Sequence, residues 1–401
     1  TFLLSFILIS SVQIVFAEDS DEIRYLIECR KKLHGFVPSR SKKGTSPDMP
    51  EINILDELLQ GSDNRKLSTT MAFVRLLSIL SKDDNIGKHI VPIIPDEART
   101  FGIDPLFRQL GIYSHVGQKY DPVDSDQFLY YREATDGQIL EEGINEAGAM
   151  SSFIAAGTAY SNHGINMIPF FIFYSMFGFQ RIGDLIWAGA DMRNRGFLLG
   201  GTAGKTTLAG EGLQHQDGHS HLMASVIPNM RSYDPAFSYE IAIIIHHGLK
   251  CMYQDQEDVF YYLTLENENY VHPPMPENIH DGVLKGMYHL NYEKVKDSPQ
   301  AQLLASGSMV NETLIAAQIL KDEWSIFTDV WSVTSYSELH REAEDIKRWN
   351  FLHPNEENRI SYVSTCLKKK NGPVIAVSDY VKLVAEQIAP YVQCPFVALG
   401  T

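Results

Sequence analysis

Residues 167–204 read MIPFFIFYSMFGFQRIGDLIWAGADMRNRGFLLGGTAG, and their order decides the fold. MIPFFIFYSMFGF is a near-continuous apolar run that breaks into an aromatic turn, the pattern of a strand buried on both faces. RIGDLIWAGADMRNRG reads as a helix, and GFLLGGTAG returns as a second buried strand ending in glycines. Strand, helix and strand in succession require a crossover, so the two strands should lie parallel in one sheet.

The same alternation extends outward. STTMAFVRLLSILSKD has helical periodicity and leads to HIVPIIPDEA, a buried strand ending in acids. NEAGAMSSFIAAGTAYSNHG is expected to be one helix of small residues stopped at Gly164. PAFSYEIAIIIHHGLKCMYQ reads as a helix and DVFYYLTL as a strand. The pattern resets near MYHLNYEKVKDSPQ. QAQLLASGS, NETLIAAQILKDE, TDVWSVTS, a helix to His353 and GPVIAVSD then form a second, smaller α/β unit. The organisation expected is an apolar flank at 1–21, a linker at 22–66, a main domain at 67–289 and a C-terminal α/β domain at 290–401. The closing FVALGT reads as a strand with nothing to close it, so that last domain is expected to be truncated.

Composition narrows the function. A formal charge of -16 argues against a nucleic-acid binder, which needs a basic face. The four cysteines are isolated and form no C-x-x-C pair, against a disulfide scaffold or thiolate zinc site and in favour of a cytoplasmic protein. Residues 2–17 are apolar and end in Val-Phe-Ala like a signal peptide, but they lack a basic start and are too short for a comfortable membrane span. They are read as a boundary flank rather than an export signal.

Ligands in parallel α/β sheets gather at the carboxyl ends of strands, and four stretches there invite chemistry. GGTAGKTT suggests a phosphate loop but fails its spacing, because only three residues separate Gly200 from Gly204. It is read as a glycine-rich turn. LQHQDGHSH, residues 213–221, holds three histidines. Asp217-Gly218 would break a helix, no H-E-x-x-H is present and further ligands cannot be placed, so no metal role is assigned. A proton-handling loop fits better. In GQILEEGINEAGAM, Glu141 and Glu142 read as solvated. Glu146, at a helix start among small residues, could be an acid favoured by the helix dipole or a screened carboxyl able to exchange a proton with a ring nitrogen. The aromatics around Gly178 could be core or a face for a flat heterocycle.

Taken together, VPIIPDEARTFGIDPLFRQLGIYS, GQILEEGINEAGA, residues 167–221 and IPNMRSYDPAFSYE resemble the homodimeric bacterial pyruvate dehydrogenases, the thiamine-diphosphate-dependent decarboxylating components of the pyruvate dehydrogenase complex. The resemblance runs from about residue 22 to 401 and is densest over 68–270. It implies a thiamine-diphosphate-binding α/β fold, a mainly parallel sheet flanked by helices, followed by a transketolase C-terminal-like domain. It implies that Glu146 bonds N1′ of the cofactor's aminopyrimidine, that Phe177 stacks on that ring, and that Tyr174 and His215 face the substrate. Glu97, and more weakly Asp96, would lie near the reaction centre, Glu211 would support the cluster, and His219 and His221 would set the loop. Pyruvate would lose CO₂ while the cofactor accepts its electrons, and the acetyl group would pass to the lipoyl arm of dihydrolipoyl acetyltransferase. The family holds Mg²⁺ through a G-D-G motif in an N-terminal diphosphate-binding domain; no GDG occurs in these 401 residues, so the chain alone is expected to be inactive. Two other readings stay open: a cofactor-free dimerisation module, and a secreted histidine-rich metal protein.

Overall fold

The computed structural model describes residues 20–32, 44–95, 98–121, 131–208, 212–291, 300–368 and 372–401. The apolar flank at 2–17, Asp96, Glu97 and Glu211 therefore lie outside the described residues. The chain divides into a small unit, residues 1–45 and 159–165, and a large one, residues 46–158 and 166–401. The small unit holds a helix, Asp21–Lys32, with acids in its first turn and bases in its last, the arrangement its dipole favours. None of that helix is buried.

In the large unit the apolar runs become a six-stranded, wholly parallel sheet. Its strands are β1 (Ile90–Ile94), β2 (Leu140–Glu141), β3 (Ile168–Tyr174), β4 (Phe197–Gly201), β5 (Met230–Tyr233) and β6 (Phe260–Thr264). They lie in the spatial order β2-β1-β3-β4-β6-β5. Every residue of β1, β4 and β6 is buried, which is why these segments read as continuous apolar runs rather than alternating ones. Helices α1 (Thr69–Leu80), α2 (Glu146–Gly157), α3 (Phe179–Asp191), α4 (Ser220–Ser225) and α5 (Ser238–Leu249) connect or flank these strands. Ser68 starts α1 by accepting the amide of Met71 at 3.1 Å, and Asn145 starts α2 by accepting that of Gly148 at 3.0 Å.

A break at Thr158 divides the expected helix: α2 ends at Gly157, and a further helical turn, Ala159–Asn162, precedes Gly164. The Gly157 carbonyl accepts the Arg195 amide at 3.0 Å, and a Cβ at Gly157 would lie 2.5 Å from the Arg195 oxygen. Close approach of the 195–196 turn accompanies the break. Within the stretch read as linker, Leu55 and Leu58 are buried in the main core.

A second sheet follows: β7 (Tyr288–Asn291), β8 (Gln300–Ala305), β9 (Phe327–Ser332), β10 (Val374–Val377) and β11 (Phe396–Leu399). Its order is β7-β9-β8-β10-β11, parallel except for the antiparallel edge strand β7. The closing FVALGT run is not left unpaired, because β11 pairs in parallel with β10. Helices α6 (Met309–Trp324) and α7 (Tyr336–Leu352) belong to this sheet's crossovers.

Candidate active site

The aromatic turn sits at the carboxyl end of β3. Tyr174 is the last strand residue, a single 3₁₀ turn covers Ser175–Phe177, and α3 begins at Phe179. The neighbouring strand must leave room for this turn. A Cβ on Gly200 would lie 2.8 Å from Ser175 Cβ and nearer still to the Tyr262 hydroxyl. The glycines of GGTAGKTT thus serve packing. Beyond them the amides of Lys205 and Thr206 donate to the Asp379 carboxylate at 2.8 and 3.0 Å. These donors are taken by the chain's own acid.

The loop 212–221 closes over the turn. His215 sits on a 3₁₀ turn, Leu213–His215, and its ring packs 4.9 Å from Tyr174 and 5.2 Å from Phe177. Tyr174 and Phe177 meet edge to face at 5.8 Å. His215 Nδ1 is buried and has no hydrogen-bond partner, as has Ser175 Oγ. Buried polar atoms left unmade are costly, so an orphan on a ring at a strand end marks a place for a ligand group.

The three histidines separate. His219 is exposed. His221 is buried, with Nε2 2.9 Å from Thr264 Oγ1, and burial holds its pKa below the ordinary value. Thr264 Oγ1 in turn donates to Asp234 at 2.6 Å. What shapes the loop is Asp217, buried, whose Oδ1 accepts the amides of His219 and Ser220 at 3.0 Å each and whose Oδ2 accepts the Ser220 hydroxyl.

Glu146 opens α2 and joins the cluster through a residue that sequence reasoning missed. Arg181 Nη1 donates to Glu146 Oε1 at 3.0 Å, while its guanidinium carbon lies 3.9 Å from the centre of the Phe177 ring. The Glu146 side chain is only 12% exposed, so this pair is largely screened from solvent on the acid's side. The local signal was available: Phe177 and Arg181 are four residues apart across a helix start. The structure therefore brings Glu146, Tyr174, Phe177 and His215 to one strand end, with Arg181 between acid and ring. The arrangement sets a carboxylate, an aromatic face and an imidazole near one another at one strand end.

This is an α/β architecture of the transketolase-like class. A transketolase from Leishmania mexicana superposes with a TM-score of 0.61 at 17% identity, over 86% of this chain and 42% of that one. Residues 47–273 match the pyruvate dehydrogenase E1 component middle domain, and residues 286–400 match the transketolase-like C-terminal domain. The chain belongs to the pyruvate dehydrogenase E1 component family. It is 56% identical over 385 residues to a pyruvate dehydrogenase E1 component from Pseudomonas aeruginosa, covering 96% of this chain and 44% of the relative. To the Escherichia coli K12 protein of the same description it is 50% identical over 392 residues, covering 97% and 44%. The chain thus spans about half the length of these relatives.

Proposed function

We propose that this chain forms the aminopyrimidine-binding and C-terminal portions of a pyruvate dehydrogenase. That enzyme would decarboxylate pyruvate with thiamine diphosphate and pass the acetyl group to a lipoyl arm of dihydrolipoyl acetyltransferase. The observation that carries the reading is the convergence of Glu146, Phe177 and His215 at the end of β3 in a chain of this family. The residues fit the cofactor. Phe177 offers a ring to stack on, Glu146 an acid able to hold a proton against a ring nitrogen, and the orphaned His215 Nδ1 a group for the substrate. When bound, thiamine diphosphate supplies the electron sink that makes loss of CO₂ possible.

The protein's own residues do the rest. Phe177 orients the ring. Glu146 exchanges the proton, and the guanidinium of Arg181 must leave the Phe177 face for a second ring to lie there. Tyr174 and His215 line the substrate side, where a donor would hold a carboxylate or a developing oxyanion. Asp96, Glu97 and Glu211 are assigned supporting roles from resemblance alone. The diphosphate and its Mg²⁺ would be held by a G-D-G motif that these 401 residues do not contain.

A homodimer is part of the proposal. Ile144 and Leu213, flanking Glu146 and His215, are 70 and 82% exposed, and apolar groups at a site's rim suit a subunit that covers them. The domain organisation of a middle domain to about residue 289 and a C-terminal domain thereafter is likewise proposed, as is a cytoplasmic location. None of the four cysteines is in a disulfide. Among the described residues no helix is long and apolar enough to cross a membrane.

The test uses the full-length protein carrying this chain. Glu146→Gln should retain the fold yet lower the rate of CO₂ release from pyruvate about a hundredfold or more, the range for loss of a positioned acid–base group. Quenching of protein fluorescence by thiamine diphosphate, followed in parallel, should weaken in Phe177→Ala. Undiminished CO₂ release by Glu146→Gln would remove the acid from its assigned role.

A further inference from the structure

Helix α5 ends in a way that gathers three metal-binding side chains, with a fourth, His247, beside one of them, none in the candidate active site. After Leu249 the chain widens into a single π-helical turn, Lys250–Gln254. Such turns appear mostly singly and frequently at functional sites. The chain then folds back on itself: the Asp255 amide bonds the Lys250 carbonyl and the Glu257 amide the Cys251 carbonyl, both at 2.9 Å. Gln256, between the two acids, adopts φ of 57°, a left-handed conformation. Ligand atoms of Cys251, Asp255 and Glu257 consequently lie within 4.8 Å of one another. His247, one helical turn before Cys251, places Nδ1 and Nε2 3.4 and 3.6 Å from the sulfur.

We propose that His247, Cys251, Asp255 and Glu257 bind a borderline-soft divalent cation such as Zn²⁺. The sulfur–nitrogen separations carry the geometry. Zn–S and Zn–N bonds of ordinary length at a tetrahedral angle put the two donor atoms roughly 3.6 Å apart, so His247 and Cys251 already stand at chelating distance. The two carboxylates are exposed and can close the remaining span by side-chain rotation. Donor chemistry agrees: one thiolate, one imidazole and two carboxylates suit zinc better than a hard, all-oxygen cation.

The surroundings agree as well. Burial keeps the pKa of His247 low, so its imidazole is available as a neutral ligand. Arg231, 3.7 Å from Glu257, balances that carboxylate until a metal replaces it. Tyr261 Oη, 3.4 Å from His247 Nδ1, is placed to steady the ring once it turns to the metal.

Cobalt titration of the purified protein reads this site without reference to enzymatic activity. One equivalent of Co²⁺ should give a near-ultraviolet thiolate-to-metal absorption together with the visible bands of a four-coordinate ion, and Zn²⁺ should abolish both. Cys251→Ser should lose the thiolate absorption. Asp255→Asn combined with Glu257→Gln, two exposed positions where misfolding is not at issue, should weaken Co²⁺ binding about tenfold or more. The proposal is overturned if Co²⁺ binds without a thiolate band, if the band survives in Cys251→Ser, or if the double variant binds as tightly as the parent.

Discussion

Asp217 does for the loop 212–221 what no histidine in it does. Two residues after His215, its buried carboxylate receives two backbone amides and a hydroxyl, tying the loop to the start of α4. Asp217→Ala would strand those donors, and a helix-start acceptor is worth about 1–2 kcal/mol. Asn keeps one acceptor oxygen, so Asp217→Asn should lose less; urea midpoints of the two variants give the comparison. At this scale the sequence was only partly legible. The histidine count marks the loop, but not which ring faces Tyr174 and Phe177. The roles assigned to Glu146, Tyr174, Phe177 and His215 came from family resemblance, because nothing in their spacing says that residues 146 and 215 meet the same turn. The pairing of Arg181 with its acid is hidden because the two lie 35 positions apart, although its ring is only four away.

Elements were far easier to read. Long runs with one period, such as 69–80 and 168–174, carry their structure locally, and the strand–helix–strand order at 167–204 led directly to a parallel sheet. Among the strands that escape is β5, MRSY: four residues, two of them polar, at the sheet's edge. Its strand pairing comes wholly from β6, so no local pattern announces it. Helix α5 shows the same limit at its start. The ring of His272 stands between elements, with Nδ1 accepting the Ser238 amide at 2.9 Å and Nε2 meeting the Leu67 carbonyl at 3.0 Å. Burial drives its pKa from 6.5 down to about 4. A histidine depressed in this way contributes stability that is complete above 6.5 and is lost as pH falls toward 4. The loss should approach about 3 kcal/mol. In His272→Gln that acid-side slope should be shallower. The variant should also be less stable near neutrality, by about 2 kcal/mol for two disrupted hydrogen bonds. Chemical denaturation at a series of pH values reads both effects.

The whole molecule is joined by acids. Glu240 of α5 accepts the Tyr288 and Ser332 hydroxyls of the second sheet at 2.6 Å each. Asp234 accepts Ser306 Oγ at 2.7 Å and Tyr380 Oη at 3.2 Å. Glu266 Oε2 accepts the Ser308 amide at 3.0 Å, whereas its Oε1 is buried with no partner. A methyl group placed on Gly307 would lie 2.8 Å from Glu266 Oε1 and 2.9 Å from Asp234 Oδ2, so the two carboxyls converge on one small space. Burial first, and then the Asp234 charge, push the pKa of Glu266 well above 4.5. An acid raised in the folded state contributes stability that is fully present below 4.5 and is lost as pH climbs through its folded value. Glu266→Gln supplies a permanently neutral side chain whose amide can donate toward Asp234. The variant should match the parent at about pH 5 and become the more stable of the two as pH rises, with the gap widening by at most about 1.4 kcal/mol per unit. Urea unfolding of both proteins from about pH 5 to about pH 9 measures it. A gap that stays constant across that range would mean that Glu266 does not carry its proton into the folded seam between the two sheets.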